Sequence, residues 1–204
     1  NQSEIDNYPH MEGVRPGDII FRDVNGDNTI DGLDKIRINK SLVPTWTGGL
    51  NISASYKGFD LFILFQGQAG AVRYVQQTGS LSNNKNYLKS FYDSRWTEAN
   101  PDTDYPRTFN RNDEYWVNSD NQNTFWLHKT DFIRLKNIEI GYTFPEKITQ
   151  KLACKTIRLT VTGMNLLTFA PDMNDYDPEL QYKGDGFAGS GYPIQKIVTA
   201  GISI

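Results

Sequence analysis

The chain has a single cysteine, Cys154, and only two histidines, His10 and His128, in 204 residues. A lone thiol excludes an internal disulfide, and its ordinary role is a buried or idle side chain. The histidines stand far apart, and no spacing of them with the thiol builds a catalytic triad or a zinc site. No apolar run approaches the ~18 residues that mark a membrane helix. Basic residues are not in excess either. The formal charge is −3, with no basic stripe, which excludes the electrostatic footprint of a nucleic-acid partner. Hydrophobic residues make up 38%, below the usual ~45–50%, a reference that also counts glycine. No secretory leader opens the sequence, and Asn1-Gln2-Ser3-Glu4 reads as a start inside something larger. The missing apolar run does not exclude a membrane, because barrel strands are only about 9–11 residues long and alternate.

What is present is β-rich. Aromatics reach 13%, and Tyr, Phe, Gly and Asn are plentiful. Trp46 to Gly67, WTGGLNISASYKGFDLFILFQG, reads as two strands folded back at Lys57-Gly58. Side chains alternate across a strand with a period of two. Leu50, Ile52, Ala54 and Tyr56 therefore share one face, and Gly49, Asn51, Ser53 and Ser55 share the other. The polar face is small and uncharged, and aromatics (Trp46, Tyr56, Phe59, Phe65) sit near the strand ends. That combination suits a wall with lipid on one side and a polar lumen on the other.

Three further strands follow from the same period. Phe132 to Phe144 places Ile138, Ile140, Tyr142 and Phe144 against Asn137, Glu139, Gly141 and Thr143, with Glu139 expected to face the lumen. Pro145 stops that strand, and PEKITQKLA reads as one or two helical turns. Lys155 to Phe169 directs Ile157, Leu159 and Val161 outward and Arg158, Thr160 and Thr162 inward. Tyr192 to Ile204 alternates Val198, Ala200, Ile202 and Ile204 with Ile197, Thr199, Gly201 and Ser203. The organisation expected is a polar loop region at 1–45 and a strand region at 46–204 with long loops at 70–130 and 170–191. A short helix is expected from Tyr87 to Trp96. Loops of that length are uncommon in compact domains, whereas outer-membrane barrels pair long outer loops with short periplasmic turns.

Asp23, Asn25, Asp27, Thr29, Asp31 and Asp34 occupy positions one, three, five, seven, nine and twelve of a loop. This is the spacing by which an EF-hand-like loop wraps Ca²⁺ in oxygen ligands. Position six is Asn28, which must adopt a left-handed turn. The competing account is an Asx-rich turn stabilised by its own side chains.

No constellation points to an enzyme. The carboxylate pairs Asp102/Asp104 and Asp177/Glu179 read as solvated turns before they read as acid–base pairs. GDGFAGSG near residue 184 lacks the Lys-Ser/Thr of a phosphate loop. Trp96, Trp116 and Trp126 lie in or beside the long central loop. They are candidates for substrate or partner contact, against the alternative that each belongs to a small core of the loop itself.

Several pieces, in order, resemble the C-terminal end of the SusC/RagA family of TonB-dependent outer-membrane transporters. They are PGDIIFRDVNGDNTIDGLD, GGLNISASYKGFDLFILFQG, SRWTEANPDTDYPR, FIRLKNIEIGYTFPEKI, TVTGMNLLTF, YDPEL and YPIQKIVTAGISI. Asn28 departs from the glycine of the commonest version. The resemblance implies an all-β fold of antiparallel strands, the last ~5 of a transmembrane β-barrel of about 22 strands, with long extracellular loops. It implies import of oligosaccharides (glycans) or peptides with a SusD-like surface lipoprotein and the TonB complex, through a plug not in this chain. It also implies that Lys57-Gly58 and PEKITQKLA are periplasmic turns. Trp46, Phe132, Phe169 and Tyr192 then mark the outer rim, and Tyr56, Phe59, Tyr142 and Phe144 the inner one. The rival reading is a soluble, calcium-bound β-sandwich that binds carbohydrate. It differs in one respect that a structure reveals: a second sheet must cover the apolar face.

Overall fold

A computed structural model describes residues 1–75, 88–108, 122–179 and 194–204. Tyr87, Trp116, the glycine-rich stretch near residue 184 and Tyr192 lie outside the described residues. The chain divides into two compact units. One comprises 1–39, 74–128 and 182–190; the other comprises 40–73, 129–181 and 191–204.

The second unit is built on a five-stranded sheet in the order β1 (Trp46–Tyr56), β2 (Phe59–Ala69), β5 (Phe132–Thr143), β6 (Arg158–Phe169), β7 (Ile197–Ser203). Every neighbouring pair is antiparallel. Lys57 (φ 48°) and Gly58 (φ 87°) close the first hairpin. Two successive positive φ values make the tight turn whose twist matches paired strands. Gly58 is also required sterically, since a Cβ there would lie 2.8 Å from the Thr143 carbonyl oxygen. At the same end of the sheet, α3 (Glu146–Thr149) and a 3₁₀ turn (Gln150–Leu152) join β5 to β6. The longer connections leave from the opposite end, where Trp46 pairs with Ala69 and Ile133 with Phe169.

Register carries the alternation of single strands across the whole sheet. Ile52 pairs with Ile63, Ile63 with Ile138, Ile138 with Gly163, and Gly163 with Val198. The next row down is Ala54, Leu61, Ile140, Val161 and Ala200. One face is thus continuously apolar, and it is open: Leu50 is 58% exposed, Ile140 49% and Val198 67%. Ile140 sits on the central strand, where a covering sheet would leave it buried. The sandwich reading therefore fails on this face. Strands of 11 or 12 residues run about 36–40 Å, which at a tilt near 45° spans about 26 Å, the height of a barrel's apolar band.

Three expectations need correction. Ile157 is not an outward residue of β6. It precedes the strand, is buried, and its carbonyl accepts from the Phe144 N–H at 2.9 Å. Phe132 lies at the expected end of the sheet but is not an exposed rim aromatic, because it is buried on the polar face beneath the Arg134 guanidinium, 5.3 Å from its ring centroid. The last strand begins at Ile197 rather than Tyr192. The remaining rim aromatics keep to the two ends. Trp46 and Phe169 are exposed at one, while Phe59, Tyr142 and Phe144 stack at 4.4 and 5.1 Å at the other.

The first unit carries α1 (Gln2–Asp6), a 3₁₀ turn (Gly32–Asp34), α2 (Lys89–Ser94) and a second 3₁₀ turn (Thr124–Trp126). The short strands β3 (Val72–Tyr74) and β4 (Leu127–Lys129), which strand alternation does not reveal, pair with each other. Phe91 and Trp126 are fully buried, packed with Ile19, Phe21, Leu88, Tyr105 and Phe125. Trp126 meets Phe125 edge-on at 4.7 Å. Burial pushes the neighbouring Tyr74 hydroxyl up to about 12, so it stays neutral at any physiological pH.

Candidate lumen face and loop sites

The face opposite the apolar one is where chemistry gathers. Asn51, Ser53 and Ser55 of β1 lie there, with Asp60 of β2, Asn137 and Glu139 of β5, and Arg158, Thr160 and Thr162 of β6. It is not uniformly polar, since Phe62 and Leu64 of β2 share it. Glu139 is not a lone charge. The Arg158 Nη2 donates to Asp60 Oδ2 at 2.5 Å and to Glu139 Oε1 at 2.8 Å, tying three adjacent strands together. Gly141 lies beneath this cluster, and a Cβ there would meet Arg158 Nη2 and Asp60 Oδ2 at 2.5 Å. The glycine is what lets the three charges close over the backbone.

A second cluster lies toward the other end of β5. Arg134 is only 1% exposed. Its Nη2 donates to both oxygens of Asp177 at 2.8 Å, and its Nη1 donates to Glu179 Oε2 at 2.5 Å. Lys136 adds a contact to Glu179 Oε2 at 3.1 Å. Asp177 and Glu179 are therefore neither solvated turns nor an acid–base pair. They neutralise a buried guanidinium, and removing one such partner typically costs about 3–5 kcal/mol because the other charge is stranded. The only hint in the sequence is two acidic residues spaced by one, in the loop leaving the strand beside Arg134.

The candidate calcium loop closes on itself. Asp23 accepts from the Gly26 N–H at 2.6 Å and the Asn28 N–H at 2.9 Å. Asp27 accepts from Thr29, and Asp31 accepts from Leu33 as the cap of the 3₁₀ turn. Asp34 accepts from Asp31 N–H at 2.8 Å and Val24 N–H at 2.7 Å. Those bonds from Asp31 and Val24 hold its carboxyl below the ordinary value. Asn28 takes the left-handed conformation that position six demands, with φ 65°. The Asn25 side chain donates to Asp27. Among the described residues, no three Asp, Glu, His or Cys side chains converge on a common metal position.

Of the three tryptophans, Trp126 is a core residue and offers no face to a ligand. Trp96 is half-buried and lies over Gly17, where a Cβ would approach its ring to 2.4 Å. Trp116 lies outside the described residues.

No family model matches the chain. TonB-dependent receptor P3 of Formosa agariphila is 29% identical over 198 residues, covering 93% of this chain and 19% of that protein. TonB-dependent receptor P26 of the same organism is 27% identical over 218 residues, covering 100% of this chain and 21% of that protein. Among solved structures, the RagAB peptide transporter aligns with TM-score 0.60 and 26% identity over 86% of this chain and 18% of that one. The RagAB peptide importer in its closed-closed state aligns with TM-score 0.62. Over nearly its whole length the chain is similar to a segment of SusC/RagA-like TonB-dependent receptors. It spans about a fifth of the length of the relatives it matches. For such a receptor the open five-stranded sheet is part of a barrel wall.

Proposed function

We propose that this segment supplies wall strands and outer loops of a TonB-dependent outer-membrane importer of oligosaccharides or peptides, working with a SusD-like surface lipoprotein. The observation that carries the reading is the continuous, open apolar face across five register-matched strands, backed by a face bearing Asp60, Glu139 and Arg158. The fold likeness to the RagAB peptide transporter supports it. The wall does no chemistry itself. TonB, acting on parts outside this segment, opens the path, while the wall holds the lumen side chains and presents the loops at 1–45, 70–130 and 170–191 to the lipoprotein. The loop at 23–34 is proposed to hold calcium as a structural brace.

The test begins with localisation. The full-length protein is expected in the outer-membrane fraction, extracted only by detergent, with a gel mobility that shifts on heating. Recovery in detergent-free buffer overturns the barrel reading. A deletion strain is then expected to lose uptake of labelled peptides or oligosaccharides, and affinity purification to recover the lipoprotein. Unchanged uptake of both substrate classes rejects the import role.

A further inference from the structure

The turn that joins β5 to β6 is larger than the pairing requires. The Phe144 N–H already donates to the Ile157 carbonyl at 2.9 Å, so the strand ends are closed before the turn begins. What lies between them is a built helical segment. The Pro145 carbonyl accepts from the Ile148 N–H at 2.8 Å and starts α3. Thr149 is buried, and its Oγ1 donates to the Glu146 carbonyl at 3.2 Å. Ala153 takes φ 56° and ends the segment. Its N–H donates to the Gln150 carbonyl at 3.2 Å, and the Cys154 N–H donates to the Thr149 carbonyl at 3.0 Å. Those two bonds form the Schellman closure of a helix end. With Thr149 turned inward, side chains four positions apart share the outer surface. Lys147 and Lys151 make one such pair and Ile148 and Leu152 the other. All are exposed, Ile148 by 44% and Leu152 by 60%.

The charge at this end of the sheet is one-sided. Lys57 of the first tight turn and Lys155 are exposed as well. Glu146 is the single carboxylate between Pro145 and Ile157. Among the described residues, Lys57, Lys147, Lys151 and Lys155 pair with no carboxylate. Asp60 and Glu139, on the polar face nearby, are held by Arg158. Toward the opposite end of β5 the basic groups Arg134 and Lys136 are neutralised by Asp177 and Glu179. The apolar pair continues an aromatic row, because Phe59, Tyr142 and Phe144 stack on the apolar side immediately before the turn. Lysines beside large apolar side chains on one short helical segment are the pattern of a membrane interface. There lysine stems follow apolar surface while the ammonium groups reach the headgroups. We infer that this turn is seated in the headgroup layer. Ile148 and Leu152 enter the acyl boundary, and Lys57, Lys147, Lys151 and Lys155 bind the phosphates of anionic phospholipids. Charge and continuity choose that occupant. An acidic protein would satisfy the lysines, but the aromatic row it would have to cover runs without a break into the open apolar face of the sheet.

The inference rests on the barrel reading, and the experiment separates the two. Full-length protein is reconstituted into vesicles of phosphatidylcholine alone or of equimolar phosphatidylcholine and phosphatidylglycerol. The folding equilibrium is read from heat-modifiable mobility across a denaturant series. Phosphatidylglycerol is expected to favour the folded state of the unaltered protein. Lys147→Gln and Lys151→Gln should each lose roughly fivefold of that gain, the size of one lysine at an anionic surface, while folding as well as the unaltered protein in phosphatidylcholine. High salt should remove the difference. Leu152→Ser should weaken folding in both lipids, whereas a side chain this exposed costs little to change in water. Lysine variants that keep the full response to phosphatidylglycerol overturn the headgroup contact and leave the barrel standing. Lysine variants weakened equally in both lipids place their partner within protein and overturn it too. Inorganic phosphate that reproduces the gain in phosphatidylcholine vesicles overturns the lipid as its source. Leu152→Ser without effect in either lipid overturns the acyl seating. Unaltered protein that enters neither vesicle overturns the inference together with the barrel reading beneath it.

Discussion

Placing a charge at mid-height on the apolar face should be far more damaging than placing it one residue away. Ile52 is 42% exposed and belongs to the row Ile52, Ile63, Ile138, Gly163 and Val198, at the middle of the wall. Ile52→Arg puts a guanidinium at the bilayer midplane, a change that costs about 2–4 kcal/mol on a barrel's lipid face. That is roughly a thirty- to seven-hundredfold loss in the folding equilibrium, at a factor of ten per ~1.4 kcal/mol. Asn51→Arg alters the adjacent residue of the same strand, which faces the lumen side, and is expected to cost under about 1 kcal/mol. Full-length protein is refolded into lipid vesicles across a denaturant series, and the folded fraction is read from heat-modifiable mobility. Equal destabilisation by the two variants, or a larger effect of Asn51→Arg, refutes the assignment of faces.

Four further outcomes can be measured. Gly141→Ala drives a methyl into the space shared by Arg158 and Asp60. It should destabilise the wall more than Gly48→Ala, where nothing lies within 4 Å of the added carbon, and equal melting temperatures would refute the clamp. Trp126→Ala empties the buried aromatic core and should cost about 3–5 kcal/mol, read as faster proteolysis near residues 88–108; an unchanged digestion rate would show the ring to be dispensable. The Asp34 bonds should be fully present above the ordinary carboxyl value of 3.8 and be lost as pH falls through the lower folded value. Hydrogen exchange at the Val24 and Asp31 amides should therefore quicken only in strong acid, and calcium should slow cleavage within 23–34 relative to chelator. Identical digestion with and without calcium would leave the self-capped turn as the whole account.

The wall was legible because its signal is local and repeated. Each strand states its two faces by a period of two, and Lys57-Gly58 states its turn. What joins distant segments was not legible. Arg134 looks like any basic residue at a strand start, and Asp177 and Glu179 look like a polar turn, until antiparallel pairing sets β6 beside β5 and brings the following loop back over the guanidinium. The residues that β5 and β6 insert into the pairing, Lys136, Asn165 and Leu166, are equally silent, since a bulge shifts the period without changing the kind of residue found there. Trp126 fits two accounts in the sequence, a ligand contact and a small core of the loop, and the sequence does not choose between them. Its neighbours Phe91 and Tyr105 are 35 and 21 positions away in sequence, and only the packed unit shows that the ring is spent on the core.

The two ionic clusters of the wall divide its work by position. Asp60, Glu139 and Arg158 join β2, β5 and β6 near the tight turns, where the strands need only to be held. Arg134 with Asp177 and Glu179 sits near the opposite end and binds a loop to the wall instead of a strand to a strand. A buried guanidinium with two carboxylates contributes little net stability compared with apolar packing, but it is costly to half-break. Such a cluster favours one loop position over alternatives more than it strengthens the fold. The loop after β6 is thereby held at one position against the wall, whatever the strength of the wall itself.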